Sequence, residues 1–295
     1  MRWKYVRKLQ AKYKNDSALL CEIFAFKEKI ENMTHIYQET YGQGKPIVMI
    51  HGWGMHTGIW RAFAEELGQY YRVTCVDLPG HGRSGKSLSF SLEEISRALV
   101  ASVDEQPCCW IGWSLGATIV LDIASRFPER AETLILLAGN PRFTRTRDPV
   151  GSPEHWPGIS VRVLDSFAAQ LTENAQQTLL RFLALQMHGL ENQKALVKTL
   201  KSAVFECDPP DQEALLQGLK ILKEADLRSV LQSFEHPVLA VLGGRDTLVP
   251  HTVALHLQRL QPNLSLNLFE KAGHVPFLTH RQELIMAISR FLEDR

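Results

Sequence analysis

A serine stands at the centre of the segment GWSLG, residues 112–116, which has the pattern G-x-S-x-G. A short apolar run precedes this segment, and an alanine-containing stretch with a helical pattern follows it. Strand, G-x-S-x-G and helix, in this order, are typical of a nucleophile elbow, a tight turn that exposes a serine oxygen at the end of a sheet. The pattern predicts that Ser114 is the nucleophile of a covalent catalytic mechanism.

A serine hydroxyl is a weak nucleophile until a base takes its proton, and His274 is the best placed of the 11 histidines. It follows the last apolar strand pattern, and Asp246 follows the strand pattern before it, where it could fix the imidazole tautomer. The order Ser114, Asp246, His274 is that of hydrolases with a nucleophile elbow. Taken alone, each could be an ordinary loop residue. Glu270 is the rival acid, but it lies too close to His274 in the same strand exit to bond its ring.

Ester cleavage places negative charge on the carbonyl oxygen, and two backbone N–H groups are expected to bind it. One expected donor is Leu115, the residue after the nucleophile. The other is Trp53 in the segment HGWG, residues 51–54, whose glycines let the backbone turn inward. A simple tight turn is the alternative for this segment. The histidines show no metal-ligand spacing, so we expect neither a metal nor another cofactor.

The elements that would position these residues alternate between apolar strand patterns and helical patterns. The strand patterns lie at residues 34–41, 45–51, 71–77, 108–111, 133–137, 237–242 and 264–269. Helical patterns lie at residues 59–67, 92–103, 117–125 and 283–292. This alternation predicts an α/β fold with a mostly parallel sheet covered by helices on both faces. At the carboxyl ends of such strands, ligands and chemistry gather.

The alternation stops between residues 141 and 235, where turn residues give way to helical stretches without a convincing strand. We therefore expect a helical lid at residues 141–235, inserted into a core made of residues 33–140 and 236–295. Residues 1–32 carry eight Lys or Arg and four Asp or Glu, and no small-residue cleavage site follows them. An extension outside the core is the preferred interpretation, and a basic amphipathic helix that binds a surface or a partner is the alternative.

Composition excludes several classes of protein. The net charge is +1, so no overall field favours nucleic acid or a membrane surface. No apolar run reaches the roughly 18 residues that a membrane helix needs, so no membrane insertion is expected. The 5 cysteines are an odd number and include the adjacent pair Cys108 and Cys109, which suits reduced thiols in a cytoplasmic protein better than a disulfide framework.

Several segments together resemble the pimeloyl-[acyl-carrier protein] methyl ester esterases of biotin synthesis, a family of α/β hydrolases. The segments are HGWG at 51–54, DLPG at 77–80, GWSLG at 112–116, EHWPGI at 154–159, RFLALQ at 181–186 and AGHVPF at 272–277. WPGI and RFLALQ, both in the lid, discriminate better than the catalytic segments. The resemblance covers about residues 34–295. It implies an α/β-hydrolase fold and a serine carboxylesterase that demethylates a pimeloyl chain carried on acyl-carrier protein.

The resemblance also implies which residues meet the substrate and the carrier. The substrate contacts would be Trp53, Ser114, Leu115, Phe182, Leu183, Ala184, Leu185, Gln186 and His274. Basic lid residues of the family grip the acidic carrier, and Arg181, Lys194 and Lys198 occupy such positions here. The chain departs from the family at three of these positions. Gln177 replaces a usual arginine and has no charge, and Lys194 and Lys198 stand where the family often has arginine. Lysine lacks the fork with which arginine binds a carboxylate through two hydrogen bonds.

Two other functions stay open on the sequence alone, because a fold does not fix a function. One is an esterase or lactonase that acts on a small soluble ester. The other is a binding protein without catalysis, in which the same three side chains belong to a ligand pocket.

Overall fold

The structure is a computed structural model. It describes residues 35–293 except residues 87–89, 105–106, 150–151, 153–154, 188–189 and 192. The predicted extension at residues 1–32 lies outside the described residues, as does Glu154 of the EHWPGI segment.

A seven-stranded sheet forms the centre of the fold, in the strand order β1-β3-β2-β4-β5-β6-β7. The strands are β1 (Gln38–Tyr41), β2 (Pro46–Ile50), β3 (Arg72–Val76), β4 (Cys108–Trp113), β5 (Ala131–Leu137), β6 (Val238–Gly243) and β7 (Ser265–Phe269). β1 pairs antiparallel with β3, and every other pair is parallel. The predicted mostly parallel sheet is therefore confirmed.

The strands read as continuous apolar runs because both faces of the sheet are buried. Along β2, Val48 and Ile50 pack into the apolar layer on one face, and Ile47 and Met49 pack into the layer on the other. All six residues of β4 are buried. The strand that leads to Ser114 is thus fixed from both sides.

Helices flank the sheet on both faces. They are α1 (Arg61–Leu67), α2 (Leu92–Ser102), α3 (Leu115–Arg126), α4 (Val161–Gln186), α5 (Gln193–Val204), α6 (Gln212–Glu224), α7 (Arg228–Ser233), α8 (Val253–Leu260), α9 (Pro276–Thr279) and α10 (Arg281–Glu293). Short 3₁₀ turns lie at Thr57–Ile59 and Pro128–Arg130. None of the helices in the described ranges is long and apolar enough to cross a bilayer. The sequence analysis did not assign α8, which has only eight residues and leaves Leu255 exposed.

Helices α4 to α7 lie between β5 and β6 in the chain, and we propose that they form the lid whose boundaries the sequence predicts. α4 is sharply bent at Asn174, whose backbone is not helical (φ −157°, ψ 91°). The ring centroids of Phe167 and Phe182 are 5.5 Å apart, whereas a straight helix would separate these positions by about 22 Å. Asn174 Oδ1 accepts the N–H of Gln177 and so caps the second half of α4.

Candidate active site

Ser114 occupies the tight turn between β4 and α3 and has a positive φ of 55°. Such a backbone conformation is strained for a residue with a side chain. The turn requires glycine at the two neighbouring positions, because a Cβ would not fit at either of them. A Cβ on Gly112 would strike the backbone of Gly116, and one on Gly116 would strike the carbonyl oxygen of Ile50. The spacing of the motif therefore follows from the contact between strand, turn and helix.

His274 connects Ser114 and Asp246 through two hydrogen bonds. His274 Nε2 lies 2.9 Å from Ser114 Oγ, and His274 Nδ1 lies 2.8 Å from Asp246 Oδ2. An ionised carboxylate only accepts, so Nδ1 carries the proton and Nε2 is left to accept from the serine hydroxyl. The structure thus brings the three predicted residues together in one buried row.

Backbone groups hold the carboxylate of Asp246 in place. Its Oδ1 accepts the N–H groups of Leu248, at 2.8 Å, and Val249, at 3.0 Å. Oδ2 is then the oxygen that faces His274. The rival acid, Glu270, is an exposed residue directly after β7. The geometry favours Asp246 as the partner of the histidine.

Trp113, which the sequence analysis did not assign to the site, ties the histidine loop to the elbow. Its indole N–H donates to the carbonyl oxygen of His274 at 2.7 Å. Its ring packs edge-on against Phe277, with 5.0 Å between the ring centroids. Its position directly before the nucleophile marks Trp113 as a residue near the site. Nothing in its type or spacing shows that it bonds the carbonyl oxygen of His274.

A buried histidine shapes the loop that carries Trp53. His51 Nε2 accepts the N–H of Leu78 at 3.0 Å, so its Nδ1–H donates to the carbonyl oxygen of Gly52 at 2.8 Å. Burial, with a smaller contribution from His81, holds the pKa of His51 well below its ordinary value. The neutral ring therefore acts as a fixed brace for residues 51–54. Sequence reasoning missed this role.

Both predicted oxyanion residues lie beside the serine in the fold. Leu115 is the first residue of α3, and Trp53 is in the loop after β2, the strand that pairs with β4. Both side chains are buried. Their backbone N–H groups stay the proposed donors to the oxyanion.

The predicted substrate residues of the lid lie at the end of α4. Phe182, Leu183 and Gln186 are buried, and Ala184 and Leu185 are partly buried. The ring of Phe182 meets the indole of Trp53 edge-on, with 4.7 Å between the centroids. The carboxyl end of α4 therefore packs directly against the loop that carries Trp53.

The predicted carrier contacts are exposed residues of α4 and α5. Arg181 is exposed and donates from Nη1 to Gln170 Oε1 at 2.8 Å, and Gln177 is also exposed. Lys194 and Lys198 are exposed residues of α5. The structure thus separates these residues from the buried row and leaves them open to a partner.

The strain at residue 114 gives a stability prediction. Ser114→Gly is expected to be more stable than Ser114→Ala by about 1 kcal/mol, because glycine adopts a positive φ without a steric cost. Urea unfolding of the two variants measures this difference. Ser125 lies in the helical part of α3, so there the order should reverse, with the alanine variant more stable by about 1 kcal/mol. If Ser114→Ala were the more stable of its pair, residue 114 would not be strained.

Comparison with known proteins places the chain in a family. The model of the alpha/beta hydrolase fold family matches residues 45–281. A pimeloyl-[acyl-carrier protein] methyl ester esterase from Methylococcus capsulatus is 41% identical over 257 residues, which cover 87% of this chain and 98% of the relative. Esterases of the same name from Aliivibrio fischeri and Salmonella newport are 39% and 38% identical and are covered over 98% and 97% of their length.

Solved structures of similar shape include an esterase and a hydrolase. An esterase from Exiguobacterium antarcticum superposes with a TM-score of 0.76 at 21% identity and covers 88% of this chain and 95% of its own. A hydrolase from Oleispira antarctica gives a TM-score of 0.77 at 21% identity and covers 91% and 98%. At this identity the likeness establishes the fold, and the curated relatives establish the closer kinship. The chain therefore belongs to the α/β-hydrolase family and, within it, to the pimeloyl-[acyl-carrier protein] methyl ester esterases.

Proposed function

We propose that this protein is a serine carboxylesterase that hydrolyses the methyl ester of a pimeloyl chain carried on acyl-carrier protein, in the synthesis of biotin. The kinship with esterases of that name over nearly their whole length supports the substrate. The observation that carries the reaction is the 2.9 Å contact between His274 Nε2 and Ser114 Oγ, with Asp246 behind the ring. We place the activity in the cytoplasm, since the buried thiols of Cys75, Cys108 and Cys109 suit a reducing compartment.

The first half of the proposed reaction forms an acyl-enzyme. Ser114 Oγ attacks the ester carbonyl carbon while His274 Nε2 takes the hydroxyl proton. The N–H groups of Leu115 and Trp53 bind the oxyanion that forms. When the tetrahedral intermediate collapses, the bond to the methoxy oxygen breaks, and His274 returns its proton so that methanol leaves.

The second half repeats these roles with water. His274 takes a proton from a water molecule, whose oxygen attacks the acyl carbon, and the proton then passes to Ser114 Oγ as the acyl bond breaks. The products are the restored serine and a free carboxylate at the end of the chain. Asp246 stabilises the imidazolium in both halves.

The apolar lid suits a chain of methylene groups. Phe182 is in contact with both Phe167 and Trp53, and these aromatic side chains form an apolar cluster beside the oxyanion loop. Each buried CH₂ would contribute about 0.8 kcal/mol to binding. A free carboxylate is poorly accommodated among such side chains, and this favours release of the product after hydrolysis.

The outer face of α5 suits an acidic carrier. Lys194, Lys198 and Lys201 recur at intervals of four and three residues, which places them in one stripe along the helix, and all three are exposed. Phe205, one turn further on, is 44% exposed. Over the part of the chain that the structure describes, none of the three lysines takes part in a salt bridge. The stripe can therefore pair with carboxylates of a partner.

Charge reversal of this stripe tests the carrier as a partner. The double variant Lys194→Glu/Lys198→Glu is expected to lower kcat/KM for the carrier-linked ester about tenfold or more and to weaken its salt dependence, because surface charges steer association. Its kcat/KM for a short p-nitrophenyl ester should stay within twofold. Arg290→Glu is the control: it reverses an exposed charge on α10, which lies outside the proposed lid, and kcat/KM should change for neither substrate. Equal effects of the double variant on both substrates would contradict carrier docking and favour a small soluble ester.

A further inference from the structure

The lid helix α6 contacts the side chains of both residues that we propose as oxyanion donors. The indole N–H of Trp53 donates to the backbone carbonyl oxygen of Leu215, at 2.8 Å. Gly218, one turn later, faces the same indole, and a Cβ built on Gly218 would lie 2.7 Å from Trp53 Cδ1 and 3.2 Å from its Nε1. The same Cβ would lie 3.6 Å from Leu115 Cδ2. One face of α6 therefore lies against the side chains of both residues, Trp53 and Leu115.

The packing around Trp53 leaves the indole little freedom. Its side chain is 1% exposed, and Phe182 of α4 meets the ring edge-on from another side. Gly54, the residue after Trp53, has a φ of 72°, and a Cβ there would clash with the side chain of Leu179 of α4. The loop that carries the proposed donor thus packs against the lid helices α4 and α6, and His51 holds it through the hydrogen bond to the carbonyl oxygen of Gly52.

We infer that Gly218 is a positioning residue, and that α6 sets the oxyanion geometry through Trp53 and Leu115. This inference rests on the esterase function proposed above, in which the backbone N–H groups of these two residues bind the oxyanion. The absence of a side chain at Gly218 lets α6 approach until Leu215 receives the indole N–H. The lid then contributes to the stabilisation of the transition state in addition to covering the substrate.

Gly218→Ala tests the inference. A methyl group at this position meets the indole at a distance that real Cβ atoms essentially never show, so the indole and its loop must shift. Loss of one oxyanion donor lowers turnover by about 10²–10³, and we expect a displaced donor to lower kcat for a short p-nitrophenyl ester by about tenfold or more. KM should change by less than about threefold, since ground-state contacts persist.

An alkyl trifluoromethyl ketone separates positioning from a general loss of structure. Serine adds to this ketone and forms a tetrahedral oxyanion, so its inhibition constant should rise in Gly218→Ala in parallel with the fall in kcat/KM. Gln217→Ala, the neighbouring change on α6, is the matched control and should leave both quantities within twofold. Alanine is a better helix former than glycine, so Gly218→Ala is not expected to weaken α6 itself.

A double-mutant cycle with Trp53→Ala identifies the contact. Alanine at position 53 has no ring for the new methyl group to strike and keeps its backbone N–H, so Gly218→Ala should lower kcat much less in the Trp53→Ala background than in the wild type. Should Gly218→Ala fail to fold, Trp53→Phe decides, because it removes the indole N–H that donates to the carbonyl oxygen of Leu215. It is expected to lower kcat by about tenfold with the inhibition constant rising in step.

Two results would overturn the inference while leaving the esterase function intact. One is a kcat of Gly218→Ala within twofold of the wild type. The other is full additivity of the two substitutions. If instead the wild type itself showed no Ser114-dependent hydrolysis of the p-nitrophenyl ester, the proposed function would fail and the inference with it.

Discussion

Ser114→Ala is expected to lower kcat for ester hydrolysis by about 10⁴-fold or more, because the variant has no oxygen that could form the acyl-enzyme. Removal of the nucleophile of a serine–histidine–aspartate set leaves only the rate that binding and the oxyanion hole supply. The measurement is steady-state hydrolysis of a p-nitrophenyl ester and of the carrier-linked methyl ester, with each variant purified to exclude traces of wild type. The initial burst of nitrophenol, where present, should vanish as well.

Two controls give this result its meaning. Ser125→Ala changes an exposed serine of α3 and should keep full activity. Urea unfolding should show that Ser114→Ala is folded, since the substitution removes only the hydroxyl group. A folded Ser114→Ala variant with activity close to the wild type would assign the hydrolysis to another group and contradict the proposed mechanism.

Asp246→Asn is expected to lower kcat by about 10⁴-fold while the fold stays intact. The two backbone N–H groups that bind Oδ1 require an oxygen there, so the new amide must turn its NH₂ group toward His274. His274 Nδ1 then has to accept, and the proton moves to Nε2, which faces Ser114 Oγ. The imidazole is held in the tautomer that cannot take the serine proton, an effect of about this size in serine proteases.

Glu270→Gln is the matched control for this substitution. It makes the same chemical change at the rival carboxylate, which is exposed after β7 and forms no hydrogen bond to His274 within the described residues. Its kcat should stay within about twofold of the wild type. If Glu270→Gln lost activity and Asp246→Asn kept it, the roles of the two carboxylates would have to be exchanged.

The sequence was sufficient to predict which strands form the sheet and which residues meet at their ends. Both faces of β4 are buried, so the strand reads as an apolar run, and the clash at Gly112 and Gly116 allows only glycine at those positions. Motifs of this kind encode local geometry directly. Ser114, Asp246 and His274 each follow a strand of the same sheet, and parallel strands necessarily bring their carboxyl ends to one edge.

The shape of the proposed lid was less predictable because it depends on contacts between distant residues. The sequence predicts helical stretches in this region but not the bend at Asn174, which folds the two halves of α4 against each other. Asparagine is a frequent cap, but its position inside a helical pattern does not show that the helix turns there. The packing of Phe182 on Trp53 follows from this bend, and the sequence alone could not show it.

The supporting roles of Trp113 and His51 were not predictable for a similar reason. The indole of Trp113 donates to the carbonyl oxygen of His274, which is 161 residues away in the chain. His51 is neutral because burial lowers its pKa, and its two ring nitrogens bond backbone groups of two different loops. Both roles depend on tertiary neighbours, and that of His51 also depends on its protonation state, so neither leaves a spacing pattern in the sequence.

The central claim is that the buried row of Ser114, His274 and Asp246 cleaves a methyl ester presented by a carrier protein. The most direct measurement follows pimeloyl methyl ester on acyl-carrier protein by intact-protein mass spectrometry, with methanol measured in parallel. We expect the wild type to convert the carrier species to the free acid with one methanol released for each, and Ser114→Ala to leave it unchanged. A wild-type protein that hydrolyses a p-nitrophenyl ester through Ser114 and yet leaves the carrier-linked methyl ester intact would contradict the claim.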